Sequence, residues 1–257
     1  MTTSKRLTVL AMAVVALPAL TACRSAAPPA PPQAPAPPPA AEVSTAKLLS
    51  AAVRWSRDSA EHRALFLQVY RLATAQVERE TAARVPGSWA VVLDADETVI
   101  DNSVYQIERA RAGKPFDALS WRALCARREA VPLPGAAAFL DRVRGLGGRI
   151  AIVTNRTDAE CPDTEAVFRA HGLAYDLMLC KPDGGSSDKN PRFEAVAGGT
   201  TPGGLPPLDV VAFVGDNVQD FPGCSQAIRT RGDEAFAEFG ARFFVLPNPM
   251  YGSWERN

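Results

Sequence analysis

The chain has 257 residues, of which 47% are apolar and 22% are charged, and its 28 basic residues balance its 28 acidic residues. This length suits one globular domain with appendages, and the apolar fraction is too high for a disordered chain. Because the sequence carries no excess of positive charge, a nucleic-acid polymer is not expected as its partner. Nothing in the composition indicates an oligomeric state.

Residues 1–22 have the pattern of an export signal. Lys5 and Arg6 precede a nearly unbroken apolar run over 7–22, which is short for a membrane span of about 20 residues and has the flanks of a secretory signal. The run ends in Leu-Thr-Ala-Cys, which resembles the bacterial lipobox. The resemblance implies that the signal is removed and that Cys23 is lipidated. A soluble secreted protein, cut at a small-residue site, is the alternative.

The next segment predicts a tether. Residues 24–42 consist mainly of Pro and Ala, which cannot bury a core and favour extended polyproline II geometry. We therefore expect residues 23–43, a lipidated cysteine and its tether, to anchor the folded part to a membrane of the bacterial cell envelope while holding it off the membrane surface. Arg24 follows the cysteine, not the Asp associated with inner-membrane retention, so we favour the outer membrane.

The folded part is expected over residues 44–257 and begins with helices. Apolar residues recur at helical spacing from residue 44 to about residue 80, with Ser44 as a candidate N-cap and a second helix after Ser59. Helical spacing returns at 135–146 and 164–171. The runs rich in apolar and β-branched residues predict strands at 89–93, 149–153, 176–179, 210–214 and 242–246.

This alternation of strands and helices predicts an α/β fold with a doubly wound, Rossmann-like parallel sheet. Continuous apolar strands suit a sheet that is covered by helices on both faces. In open sheets of this type, ligands bind outside the carboxyl ends of the strands. Four of the five predicted strands bring polar residues to that edge.

Two aspartates follow the first predicted strand. A charged carboxylate at the position of Asp94 can attack phosphorus, and Asp96 can give a proton to the departing alkoxide. Because neighbouring acids do not ionise equally, one can stay basic while the other holds a proton. The same Asp-x-Asp pattern also occurs in plain turns and in metal-binding loops.

Polar residues after the other strands favour phosphoryl transfer. Thr154 and Asn155 offer hydroxyl and backbone N–H donors to phosphate oxygens, and Lys189 offers a positive charge. Asp216 and Asp220 add carboxylates that could hold a hard divalent cation together with the first pair. Positioning and charge stabilisation by such groups carry most of the catalysis of phosphoryl transfer.

These segments resemble, in order, the four motifs of the haloacid-dehalogenase (HAD) superfamily: DADETVIDN, IVTNR, a downstream lysine and VGDNVQDF. The chain resembles more closely the class C bacterial acid phosphatases, which are outer-membrane lipoprotein acid phosphatases and nucleotidases. That resemblance rests on AVRWSRDSAEHRALFLQVYRLA, LDADETVIDNSVYQ, GKPFDALSW and PNPMYGSWE. It runs from about residue 44 to the end and implies that residues 44–257 form an HAD-like acid phosphatase domain.

The resemblance implies an Mg²⁺-dependent phosphomonoesterase that acts on a small phosphate ester. Asp94 would be the nucleophile that forms an aspartyl-phosphate, and Asp96 would be the general acid and base. Mg²⁺ would be bound by the carboxylates of Asp94 and Asp216 and by the backbone carbonyl of Asp96. Asp220 would support the metal-bound waters.

The resemblance also assigns the phosphate contacts, with one alternative left open. Thr154 and Asn155 would contact phosphate, and a lysine would neutralise it. Family members usually have Ser-Ser-Lys before x-Pro-Arg-Phe, whereas this chain has Asp188 inserted before Lys189. We prefer Lys189, because it keeps its spacing to the Pro-Arg-Phe segment, and Lys181 remains the alternative.

Substrate choice is expected to depend on aromatic residues. The superfamily places a cap between the first two motifs, here a small, mostly helical insert at about 101–132. Trp121 in this insert and Tyr251 in the terminal loop could stack on a nucleobase, or could simply pack the cap on the body. We predict 5′-nucleotides, including nicotinamide mononucleotide, as substrates. A broad-range acid phosphatase is the alternative, and a catalytically silent surface binding protein is a more remote one.

The cysteines after Cys23 are even in number and permit two disulfides outside the cytoplasm. They are Cys125, Cys161, Cys180 and Cys224. Cys161 follows the motif after the second strand, and Cys180 ends the third strand, so these two could lie close together. The pairing of all four stays open.

Overall fold

The computed structural model describes residues 49–256, so the predicted signal peptide, Cys23, the tether and Ser44 lie outside the described residues. In chain order the helices and strands are α1 (Ala51–Asp58), α2 (Ala60–Thr81), β1 (Trp89–Leu93), β2 (Ile100–Asp101), α3 (Ser103–Ala112), α4 (Ala118–Arg127), β3 (Val131–Pro132), α5 (Ala136–Gly145), β4 (Arg149–Thr157), α6 (Cys161–Ala170), β5 (Leu177–Lys181), α7 (Asn190–Gly198), β6 (Asp209–Gly215) and β7 (Phe243–Val245). Within these residues, no helix combines the length and hydropathy needed to span a bilayer.

The two N-terminal helices begin at serine caps. Ser50 accepts a hydrogen bond from the backbone N–H of Val53 at 3.2 Å and so begins α1. Ser59 accepts one from the N–H of His62 at 3.0 Å, which confirms the prediction of a second helix after Ser59. A serine oxygen in this position satisfies an N–H group that has no partner within the helix.

The strands β1, β4, β5, β6 and β7 form one parallel sheet in the order β5-β4-β1-β6-β7. This confirms the predicted α/β fold and its five strands. The chain leaves β1 toward β4 and β5 on one side and returns to β6 and β7 on the other. Because the direction of winding reverses at β1, the carboxyl ends of β1, β4 and β6 surround the crevice where such sheets bind ligands.

Each face of the sheet packs against its own apolar core. Trp89, Val91 and Leu93 belong to a core with residues of α2, α5 and α6, while Ala90 and Val92 belong to a second core with residues of α7. Alternate residues of a strand point to opposite faces. The unbroken apolar sequence of β1 therefore follows from burial on both faces.

The segment between β1 and α5 contains an insert with two helices. Its ends meet where Ile100 of β2 pairs antiparallel with Pro132 of β3. The helices α3 and α4 lie between these strands. Asp117 begins α4 by accepting a hydrogen bond from the N–H of Ser120 at 2.9 Å. The predicted insert at 101–132 is therefore mostly helical.

Candidate active site

Three carboxylates meet at the carboxyl edge of the sheet. Asp94 directly follows β1, Asp216 directly follows β6, and Asp220 ends a short 3₁₀ helix, Val218–Asp220. They offer oxygen atoms that all lie within 4.8 Å of one another. Parallel neighbouring strands end at the same edge, which explains why residues so far apart in sequence come together here.

Two local features bring Asp220 against the end of β6. Gly215 lies so close to the Asp220 side chain that a Cβ at this glycine would collide with it. The backbone N–H of Asn217 donates to Asp220 Oδ2 at 2.9 Å, and Asn217 Oδ1 accepts from the N–H of Gln219 at 3.0 Å. The Gly-Asp-Asn-Val-Gln-Asp segment therefore folds into a tight turn that fixes the position of the Asp220 carboxylate.

Lys189 bridges two of these carboxylates. Its Nζ donates to Asp94 Oδ1 at 2.5 Å and to Asp220 Oδ1 at 2.7 Å, and the residue is only 3% exposed. Helix α7 begins at the next residue, Asn190, whose backbone N–H donates to Asp188 Oδ1 at 2.9 Å. The inserted Asp188 thus holds the start of the helix that positions Lys189. Lys181, the alternative, is the last residue of β5.

The pKa values of Asp94 and Asp216 reflect the close packing of buried carboxyl groups at this edge. Burial, together with the charges of Asp220 and Asp96, raises the pKa of Asp94 to about 7, although Lys189 acts to lower it. Burial, followed by the charges of Asp220 and Asp94, raises the pKa of Asp216 well above its usual range. A set of close carboxylate oxygens with excess negative charge fits a hard divalent cation such as Mg²⁺.

Asp96 faces a different set of partners. Arg156 Nε donates to Asp96 Oδ1 at 2.9 Å, and Asn102 Nδ2 donates to the same oxygen at 2.7 Å. Sequence reasoning missed both Arg156 and Asn102. The signal that could have found them is their place within the segments IVTNR and DADETVIDN, where each follows the recognised polar residues.

The predicted phosphate contacts lie in β4, which continues beyond Val153 to Thr157. Thr154 is buried, and its Oγ1 accepts from the backbone N–H of Arg156 at 3.1 Å, which leaves the hydroxyl hydrogen able to donate elsewhere. The Asn155 side chain is exposed and donates to the Ser187 carbonyl at 3.0 Å, while it accepts from Arg192 at 2.6 Å. Asn155 therefore ties β4 to the loop that precedes Lys189.

The terminal loop is fastened to the same edge. Asn248 Nδ2 donates to Asp216 Oδ2 at 2.8 Å, and Ser253 Oγ donates to Asn217 Oδ1 at 2.8 Å. Tyr251 lies between these two anchors and is half-buried. The PNPMYGSWE segment thus lies beside the carboxylates, and Asn248 is a further partner of Asp216 that sequence reasoning missed.

Trp121 joins the insert to the body. Its ring packs edge-on against Tyr105, with centroids 5.2 Å apart. The guanidinium carbon of Arg156 lies 5.4 Å from the centroid of the Trp121 ring, a geometry that favours a cation–π interaction. Trp121 therefore contacts the arginine that holds Asp96.

Cys161 and Cys180 form a disulfide with Cα atoms 6.0 Å apart, which confirms that they lie close together. It links the first residue of α6 to β5. Cys125 and Cys224 are free thiols, the first buried and the second half-buried.

Comparison with known proteins agrees with the fold. The class C acid phosphatase from Bacillus anthracis, solved with tungstate bound, is 30% identical with a TM-score of 0.70, over 79% of this chain and 85% of that chain. A second structure of the class C acid phosphatase from that organism gives the same values.

The sequence model of the HAD superfamily, subfamily IIIB acid phosphatases, matches residues 33–254. The chain therefore belongs to this family and is a phosphomonoesterase of the HAD superfamily. The resemblance stated from the motifs is confirmed. Phosphatases of this superfamily generally use a divalent metal, in agreement with the acidic cluster at the edge of the sheet.

Proposed function

We propose that this acid phosphatase transfers the phosphoryl group of its substrate to Asp94 and then hydrolyses the aspartyl-phosphate. The observation that carries the proposal is the ion-paired group of Asp94, Lys189 and Asp220, buried at the switch point of the sheet. A carboxylate held by a fixed cation is oriented for attack, and the same cation neutralises the negative charge of an incoming phosphate.

In both steps of the proposed reaction, Asp96 transfers a proton. Asp94 attacks phosphorus, the bond from phosphorus to the leaving oxygen breaks, and that oxygen takes the proton of Asp96. The Asp96 carboxylate then removes a proton from water as the water attacks phosphorus. The bond to Asp94 breaks, phosphate leaves, and both aspartates return to their starting states.

The geometry of β4 and α7 supports the other proposed phosphate contacts. Thr154 would donate its hydroxyl hydrogen to a phosphate oxygen, and Asn155 would donate its backbone N–H, since its side chain is engaged with Ser187 and Arg192. The contact of Lys189 with Asp94 supports Lys189, rather than Lys181, as the residue that neutralises phosphate.

We propose Mg²⁺ as the metal. The carboxylates of Asp94 and Asp216 and the backbone carbonyl of Asp96 would hold it, and Asp220 would orient its waters. When bound, the ion supplies positive charge to the phosphate oxygens and offsets the repulsion between phosphate and the carboxylates. Close packing of the three carboxylate side chains supports this assignment.

We propose 5′-nucleotides, including nicotinamide mononucleotide, as preferred substrates, with Trp121 and Tyr251 stacking on the base. The place of the half-buried Tyr251 three residues after Asn248, which contacts Asp216, supports this preference. The contacts of Trp121 with Tyr105 and Arg156 favour the second candidate, a broad-range acid phosphatase in which the ring only packs the insert on the body.

Asp94→Asn tests the proposed chemistry. We expect this variant to lose at least about 1,000-fold in phosphate release from p-nitrophenyl phosphate with Mg²⁺, because an amide cannot act as the nucleophile. Far-ultraviolet circular dichroism and thermal unfolding like those of the wild type would show that the fold is intact. Residual activity above a trace, after removal of host phosphatases, would refute the assignment.

We also propose that Cys23 is lipidated and anchors the enzyme to the bacterial cell envelope, at the outer membrane. The Cys161–Cys180 disulfide supports an oxidising compartment. Cys23→Ser should turn a detergent-extractable protein into a soluble or unprocessed one. If metabolic labelling with palmitate fails to mark the wild type, the lipoprotein assignment is wrong.

A further inference from the structure

Arg156 is a buried arginine beside the proposed general acid. It lies in β4 two residues after Thr154 and is 2% exposed. Its Nε donates to Asp96 Oδ1 at 2.9 Å and to Oδ2 at 3.2 Å, and its Nη2 lies 2.7 Å from Oδ1. A guanidinium bound in this way fixes both the position and the rotation of a carboxylate.

The remaining contacts of Arg156 hold the guanidinium itself in place. Nη1 donates to Thr164 Oγ1 at 3.1 Å, and Nη2 donates to Asn102 Oδ1 at 2.9 Å. The ring of Trp121 lies against the guanidinium from the insert. Because every nitrogen of the group has an acceptor, Arg156 cannot turn away from Asp96 without losing several hydrogen bonds.

Asn102 also donates a hydrogen bond to Oδ1 of Asp96. Its Nδ2 donates to Asp96 Oδ1 at 2.7 Å, and its backbone N–H donates to Glu97 Oε1 at 2.9 Å. Oδ1 of Asp96 therefore accepts short hydrogen bonds from two side chains, while Oδ2 has the longer contact with Arg156. The two oxygens of Asp96 are thus not equivalent.

We propose that Arg156 and Asn102 are positioning residues that anchor Oδ1 of Asp96, so that Oδ2 is the oxygen that exchanges the proton with the leaving group and with water. This inference rests on the proposed role of Asp96 as general acid and base. Proton transfer needs hydrogen-bond reach and alignment, so a carboxylate free to rotate would serve a basic leaving oxygen poorly.

Substrates with different leaving groups distinguish a positioning role of Arg156 and Asn102 from a purely structural role. An alkoxide leaves with difficulty unless it is protonated, whereas p-nitrophenolate leaves without a proton. Loss of alignment at Asp96 should therefore reduce kcat/KM for glycerol phosphate and spare kcat/KM for p-nitrophenyl phosphate. Because kcat/KM reports the steps up to phosphoryl transfer to the enzyme, slow hydrolysis of the aspartyl-phosphate does not obscure it.

The test compares Asn102→Ala and Arg156→Gln with Asp96→Asn on both substrates in the presence of Mg²⁺. General acid–base catalysis contributes roughly 10²- to 10⁴-fold. We expect losses of about 10-fold for Asn102→Ala and about 100-fold for Arg156→Gln on glycerol phosphate, and less than about 3-fold on p-nitrophenyl phosphate. Arg149→Gln, at the opposite end of β4 where Arg149 pairs with Asp176, is the matched control and should leave both values unchanged.

The outcomes distinguish the inference from the function on which it rests. If Asp96→Asn shows no dependence on the leaving group, the proposed general acid is wrong. If Asp96→Asn shows it, while folded Asn102→Ala and Arg156→Gln lose equally on both substrates or on neither, the positioning role is refuted. Should Arg156→Gln fail to fold because it leaves Asp96 without its cation, Asn102→Ala decides alone, since it keeps Arg156 and the backbone N–H.

Discussion

The carboxyl edge of the sheet and the helical insert hold their side chains in different ways. At the edge, Lys189 is buried between Asp94 and Asp220. In the insert, Phe116 and Leu119 are 66% and 79% exposed. Buried charges require fixed partners, because an uncompensated charge in the interior is costly, whereas an exposed apolar side chain requires none.

This difference indicates how the phosphatase divides its tasks. On the proposed mechanism, the edge fixes the groups that every phosphate ester needs, so changes there should affect all substrates. The insert contacts Arg156 through Trp121, and the terminal loop contacts Asp216 through Asn248. If their aromatic residues bind the leaving group as proposed, changes there should affect mainly the choice of substrate. The predictions below test that division, from the largest expected effect on activity to the smallest.

Metal removal should have the largest effect. The carboxylates of Asp94, Asp216 and Asp220 lie within 4.8 Å of one another, and without a cation they would repel an incoming phosphate. We expect chelation and dialysis to abolish phosphate release from every substrate, and added Mg²⁺ to restore it. Full activity after exhaustive chelation would contradict this prediction.

Lys189→Met should lower kcat/KM by about 100- to 1,000-fold on all substrates, since it removes the cation that we propose neutralises the phosphate. Lys181→Met is the matched control, because Lys181 ends β5 and is the rival assignment. We expect the control to keep nearly full activity. A larger loss in Lys181→Met than in Lys189→Met, with both proteins folded, would reverse the assignment.

Tyr251→Ala and Trp121→Ala should reduce nucleotide hydrolysis selectively. A stacked base contributes about 1–3 kcal/mol, so we expect kcat/KM for 5′-nucleotides to fall about five- to 150-fold, with little change for p-nitrophenyl phosphate at saturation.

Glycerol phosphate is the decisive control for Trp121, because this ring also contacts Arg156. The alkoxide of glycerol phosphate leaves as poorly as the alkoxide of a nucleotide, but glycerol phosphate has no base that could stack. Equal losses on glycerol phosphate and nucleotides would show that the rings only pack the insert, and the enzyme would then be a broad-range acid phosphatase.

Loss of the Cys161–Cys180 disulfide should reduce stability more than activity. The bond closes a loop with a sequence separation of 19 residues, for which chain entropy predicts a loss of about 3 kcal/mol in the free energy of unfolding. We expect Cys161→Ser/Cys180→Ser to unfold at lower urea concentration without reductant, with kcat/KM changed less than about 3-fold. Cys224→Ser, at a free thiol, is the control. Equal midpoints for the double variant and the wild type would contradict the prediction.

Much of the fold and the edge could be predicted from sequence, because both depend on local pattern. The apolar run of β1 ends at Asp94, and parallel strands deliver their carboxyl ends to one edge. The spacing of Lys189 from the Pro-Arg-Phe segment indicated the lysine that meets Asp94. The place of Asp94 needs only strand boundaries and residue types, whereas the preference for Lys189 depended on the resemblance to the family.

The partners of Asp96 and Asp216 could not be predicted in this way. Arg156 is 60 positions from Asp96, and Asn248 is 32 positions from Asp216. Such pairs form because of how the strands and loops pack. The motif IVTNR marks Arg156 as a candidate, but it does not encode which carboxylate the arginine meets. Helix α7 was missed as well, since its first residues, Asn190 and Pro191, suggest a turn as readily as a helix start.

Trapping the covalent intermediate tests the central claim most directly. Enzyme with Mg²⁺ is mixed with substrate labelled in its phosphoryl group, quenched in acid within milliseconds, and digested for peptide mapping. We predict label on the peptide that contains Asp94, bound as an acyl phosphate that hydroxylamine releases, and none in Asp94→Asn. Label on another residue, or turnover in Asp94→Asn without a phosphoenzyme, would contradict the account.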